Sequence, residues 1–272
     1  METKKTLRII SLSVITILFC ALLAIIAHAI LPAKVDESRL DGIPVKILGF
    51  PCVAVLYFII LYTHCAVIIN LLRNDSRNTG FKGGIYFGVI LALLYITGMQ
   101  EIMLAVSPFD IWNLKFIIYQ LSMGLGDAIP VIVLCSVIGS LAIVNPKKSQ
   151  IKNTRKAGII FFFTVITGTM RTILSLTNVI DNYIYSYPAA VTIWNYGFGF
   201  VLGISYVILE KHYANPQKWM IWGTAINWII FNSFIGLIRH GALFDALLRS
   251  TLDGIAIAGI VWGTSSAKTA AS

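Results

Sequence analysis

Residues 158–180 read GIIFFFTVITGTMRTILSLTNVI, an apolar run with a single arginine, Arg171, near its middle. The run has the length of a membrane-spanning helix, which needs about 20 mostly apolar residues. A charged side chain at bilayer depth costs at least about 2.5 kcal/mol on insertion scales, so it normally faces a partner or a watery cavity. Three acids, Glu101, Asp127 and Asp253, lie in comparable apolar stretches. The pattern predicts an all-α fold: a polytopic helical membrane bundle with a buried polar site.

Working outward from that run, the rest of the chain has the same character. Hydrophobic residues make up 57% of the 272 residues and charged ones only 12%, against about 25% charged in soluble domains. Mean hydropathy is +0.82. Eight segments are long and apolar enough to span, at 7–31, 44–72, 84–107, 115–144, 157–180, 188–209, 217–239 and 244–264. Proline, asparagine and glycine mark the breaks, at Pro32, Pro44, Ser107-Pro108, Asn145-Pro146, Pro188, Asn215-Pro216 and Gly241. The connections are short, so residues 1–272 are expected to form a single helical domain.

Lysine and arginine set the expected orientation. Lys4, Lys5, Arg8, Arg73, Arg77, Lys82, Lys147, Lys148, Lys152, Arg155, Lys156, Lys211, Lys218 and Lys268 fall on one side, against Glu2, Asp75 and Glu210. The other side carries Lys34, Arg39, Lys46, Lys115, Arg239 and Arg249 against Asp36, Glu37, Asp41, Asp110, Asp181 and Asp245. Both termini are therefore expected in the cytoplasm. The net charge of +9 is a topology signal, with no nucleic-acid partner implied.

The first span also has the form of a signal peptide. Lys4, Lys5 and Arg8 precede an apolar run ending at Ala27-His28-Ala29, a small-x-small cleavage pattern. The run from Ile9 to Ile26 exceeds the usual core of about 7–15 residues, which favours a retained helix. Cleavage would leave seven helices with the N-terminus outside.

Counting about 1.5 Å per residue from the outer ends puts Glu101 about 9 Å deep, Asn195 and Asn232 about 10 Å, Arg171 and Asp253 about 14 Å and Asp127 about 18 Å. Helical spacing aligns Thr164, Thr167, Gly168, Ser175 and Asn178 with Arg171, and Gln120 and Gly124 with Asp127. The inner halves are drier, so the expected site is a polar pocket open to the outside. Its ligand-binding candidates are Arg171, Asp127, Asn178, Asn195 and Asn232. Arg171 would hold an anionic group or a carboxylate. Asp127, Glu101 and Asp253 would be the catalytic acids and bases if the chain is an enzyme. Arg249 and Asp253, four residues apart, have the spacing of an ordinary helical ion pair. Arg239 and His240 read as a helix end at the interface, and Tyr183, Tyr185, Tyr187 and Trp194 as an aromatic belt.

Other chemistries lack their residues. His28, His64, His212 and His240 are scattered, and no metal-ligand spacing occurs. No lysine lies deep in a span for a Schiff base, and no nucleotide-binding glycine loop is present. No cofactor and no metal are implied. The four cysteines lie in apolar segments without disulfide spacing. Gly199 and Gly203 form a G-x-x-x-G surface suited to helix–helix association, within the chain or in an oligomer.

Gly126-Asp127 in a central span, the short basic loops and the asparagines of the later spans resemble the receptor-like seven-helix membrane proteins of fungi, over about residues 45–263. In that family an aromatic residue and an arginine follow the Gly-Asp, where this chain has Pro130 and Val131. The resemblance implies a receptor-like role. Three functions are therefore expected, in this order: a receptor or sensor for a small amphipathic or anionic ligand, an acid–base enzyme acting on a lipid or isoprenoid, and a small-solute transporter. Membrane lipids are the expected surroundings in all three.

Overall fold

The computed structural model describes residues 2–32, 40–98, 109, 111, 113–147 and 156–270, with side chains at 7–32 and up to 264 at the two ends. Its elements are helical. They are α1 (Glu2–Ile30), the short α2 (Ile43–Leu48), α3 (Phe50–Leu72), α4 (Gly80–Gly98), α5 (Leu114–Ala142), α6 (Lys156–Leu176), α7 (Pro188–His212), α8 (Pro216–Ile238) and α9 (Leu243–Ala270). Prolines open α3, α7 and α8, where the missing N–H costs no helical bond. Asn113 caps α5 by accepting from the Lys115 amide at 2.9 Å. Residues Trp219–Ala225 of α8 are π-helical.

Among the described residues, seven helices, α1 and α3 to α8, are long and apolar enough to cross a membrane. The eighth expected span is helical too, as α9 with 28 residues. It is not among those seven, and it carries Asp245, Arg249 and Asp253. The span expected at 44–72 is broken at Gly49, with φ of 78°, into α2 and α3, and two other boundaries move. The helix expected at 84–107 starts at Gly80 and is described to Gly98. The helix expected to end at residue 180 stops at Leu176. Asn178 lies beyond it with φ of 56°, and an asparagine in the left-handed region is a common way to end a helix.

One apolar core runs through the bundle, from Cys20 and Ala24 of α1 to Ile257 of α9. Small residues set the closest crossings. A Cβ on Gly84 would fall 1.9 Å from the Cys135 carbonyl oxygen, so α4 and α5 touch backbone to backbone. The Gly199–Gly203 surface is used within the chain, against Ile160, Phe163 and Thr164 of α6. Large apolar side chains cover the outside: Phe19 is 57% exposed and Trp262 77%. In water such a surface would aggregate; against lipid it is the expected one.

The connections gather at two ends. At one end, Asp75 accepts from the Ala214 amide, and Ser76 pairs with Tyr213 and accepts from Lys147 N–H. At the other, Ile238 accepts from Gly42 N–H, Asp41 accepts from His240 N–H, and Asp181 donates its N–H to Asp245. The loops meeting at each end are those that the Lys/Arg count grouped together.

Candidate functional site

The buried face of α6 presents Thr167, Arg171 and Ser175, each no more than 1% exposed. Arg171 Nε donates to Asp253 Oδ1 of α9 at 3.0 Å, and the guanidinium lies 4.6 Å from the Phe198 ring centre. Trp228 Nε1 of α8 donates to Asp253 Oδ2 at 2.9 Å. Both carboxylate oxygens are thus engaged, and one pair ties α6, α8 and α9 together. The partner of Arg171 is Asp253, and Asp127 belongs to a different group. Asn195 joins the edge of this site by donating to Thr172 Oγ1 at 3.2 Å. Asn232 is buried and donates to the Trp228 carbonyl at 2.9 Å. Asn178 is exposed and off the face, because α6 has ended before it. Glu101 lies outside the described residues.

Asp127 sits on α5 with a side chain 2% exposed, and His28 Nε2 of α1 meets its Oδ1 at 3.0 Å. Gly126 makes the contact possible. A Cβ there would lie 2.5 Å from the His28 ring, so the imidazole lies against bare backbone. Phe58 of α3 packs beside His28, Tyr57 and Tyr62, with ring centres 6.0, 5.1 and 5.6 Å apart. The polar pocket expected from depth alone is therefore two separate groups on different helices.

A cavity of about 300 Å³ opens at the end bearing Asp181 and Arg239. Its walls are Asp181, Tyr183, Arg239, His240, Asp245 and Arg249, with Ile235, Gly241 and Ala242. Arg239 donates to the Tyr183 hydroxyl at 3.1 Å. Tyr183 holds φ of 64°, a conformation unfavourable for a bulky residue, and its hydroxyl meets the arginine there. Arg249 donates to the Asp181 carbonyl at 3.2 Å and lies 3.7 Å from Asp245. The carboxylate one turn above Arg249 is thus a partner that the spacing argument with Asp253 did not supply. Nearby, the His240 amide holds the Asp41 carboxyl below its usual pKa of 3.8.

The sequence reading missed several members. Arg239, His240 and Tyr183 read as interface residues, because only the folded loops bring them to one cavity. His28 was hidden in a pattern resembling a cleavage site. A further polar knot was also unforeseen: Tyr95 donates to Asn227 Oδ1 at 2.7 Å, and Asn227 Nδ2 reaches Cys65 Sγ at 3.3 Å and His64 Nδ1 at 3.2 Å. Aromatic and asparagine positions offer no sequence signal for such a pairing. No family model, no curated protein and no solved structure matches this chain.

Proposed function

We propose that the chain is a receptor-like multi-pass membrane protein whose end cavity takes a small anionic or amphipathic ligand from outside the cell. The cavity is the observation that carries this reading. Its volume of about 300 Å³ lies at the lower edge of small-ligand sites. The Asp245 carboxylate accepts from the Asp181 amide and lies 3.7 Å from Arg249, and the Asp181 carboxylate accepts from the Tyr183 amide, whereas Arg239 is held only through a tyrosine hydroxyl among the described residues. In this reading the Arg239 guanidinium is the group that meets the anion. Below the mouth, Asp245, Arg249 and Asp253 follow at steps of four residues, about 6 Å each. That ladder leads to Arg171 and gives a ligand at the mouth a mechanical link to α6 and α8. In this reading the lysine-rich end and both termini face the cytoplasm.

The acid–base enzyme reading is weaker. Asp253 has both oxygens engaged and is poorly placed to exchange a proton. The test is a thermal-shift titration of purified protein with decanoate and with inorganic phosphate. Stabilisation by decanoate, weakened about tenfold or more in Arg239→Gln, is the expected result for one lost charge-assisted hydrogen bond. Stabilisation by phosphate alone would point to an anion without a tail. No shift with either, or equal shifts in wild type and variant, would remove the cavity from consideration.

A further inference from the structure

The end cavity carries charges of both signs, and only some of them answer one another. Asp245 and Arg249, one helical turn apart on α9, lie 3.7 Å from each other. Asp41, beside the rim, accepts from the His240 amide at 2.8 Å. Arg239 and Asp181 both line the cavity, and neither has an ion-pair partner among the described residues. Asp181 holds its loop through the backbone. Its N–H donates to Asp245 at 2.8 Å and its carbonyl accepts from Arg249 at 3.2 Å. Its carboxylate accepts from the Tyr183 amide at 3.3 Å, a bond that an uncharged amide side chain could also accept. The negative charge of Asp181 is therefore spare. So is the positive charge of Arg239, which donates to the neutral Tyr183 hydroxyl at 3.1 Å.

Charge complementarity then narrows the ligand. The walls hold two acids and two arginines, whose charges sum to zero with His240 left aside. A ligand with a lone carboxylate answers Arg239 and leaves Asp181 uncompensated. A ligand that also carries an ammonium group answers both. Ile235, Gly241 and Ala242 supply the apolar part of the lining. We propose that the cavity binds a small zwitterion of the α-amino acid class. Its carboxylate meets Arg239, its ammonium meets Asp181 and its apolar side chain lies toward Ile235. The inference rests on the reading of the cavity as a ligand site and adds a second charge to that ligand.

The experiment titrates the purified full chain with decanoate, 2-aminodecanoate and N-acetyl-2-aminodecanoate and reads thermal stabilisation. The three share a tail and a carboxylate, and only 2-aminodecanoate carries an ammonium group. It should half-saturate at a concentration about five- to tenfold below the other two, the gain from one charge-assisted contact at a partly open site. Asp181→Asn should remove that advantage, and Arg239→Gln should weaken all three. Should Asp181→Asn fail to fold, the N-acetyl comparison on the wild-type chain decides alone. Equal half-saturation by the three ligands, weakened in Arg239→Gln, would overturn the zwitterion and leave the anion cavity standing. An advantage of the amine that survives Asp181→Asn would overturn the role given to Asp181. No stabilisation by any of the three would remove the cavity reading itself, and this inference with it.

Discussion

Asp253 and Asp127 are each 1% exposed in the same bundle, yet their surroundings differ. Asp253 has an arginine on one oxygen, an indole N–H on the other and an aromatic ring over the arginine. Asp127 has a histidine on one oxygen and no hydrogen-bond partner on the other among the described residues. A completed network locks helices together, whereas an incomplete one holds its polar atoms ready for something else. Burial and residue type are the same for the two acids, so partner count separates structural charge from available charge.

The comparison breaks most visibly at Arg171. Arg171→Met strands Asp253 and should cost about 3–5 kcal/mol in an unfolding titration. Adding Asp253→Asn should restore part of that loss, while adding Asp127→Asn should restore none. Strictly additive losses in both double variants would dissolve the assigned pair. Next in size is the donor side of each group. Trp228→Phe removes an N–H from a buried carboxylate and should cost about 1.5–3 kcal/mol. Tyr62→Phe removes a hydroxyl with no partner among the described residues and should stay within about 0.5 kcal/mol. Equal losses would erase the distinction between the two groups.

Packing offers a control of similar magnitude. Gly84→Ala forces α4 from α5 and should cost about 1–3 kcal/mol. At Gly259 a Cβ meets nothing within 4 Å, so Gly259→Ala should be neutral or stabilising by up to about 1 kcal/mol. The smallest effect is at the cavity rim. Asp41 has its pKa lowered from 3.8 by the His240 amide, so their bond is fully present above the usual carboxylate range and is lost as pH falls through the lowered value. Amide exchange at His240 should accelerate in strong acid, and Asp41→Ala should show the fast rate already at neutral pH. An exchange rate at His240 independent of pH-corrected chemistry and of Asp41 would show that the bond does not hold the rim.

The bundle was legible because membrane helices announce themselves by length and hydropathy, and because loop charges grouped the connections correctly. That Arg171 needs an acid was legible as well. Which acid was not, since depth places Asp127 and Asp253 within about one helical turn of each other. Helical spacing carried the Arg171 face as far as Asn178, although asparagine itself ends α6 before that point. The cavity was unreadable for a different reason. Tyr183, Arg239 and Asp245 come from separate turns, and no periodicity relates residues that only a folded loop brings together.

The central claim is an anion-accepting cavity on the outer face, and sided cysteine labelling tests it most directly. With the exposed Cys52 replaced by serine, Ala242→Cys in the cavity wall and Gln217→Cys at the opposite end are treated in intact cells with a membrane-impermeant maleimide. The account predicts that Ala242→Cys labels, that decanoate slows its labelling, and that Gln217→Cys stays silent until the membrane is opened. Labelling at Gln217→Cys with none at Ala242→Cys would turn the cavity toward the cytoplasm and contradict the account.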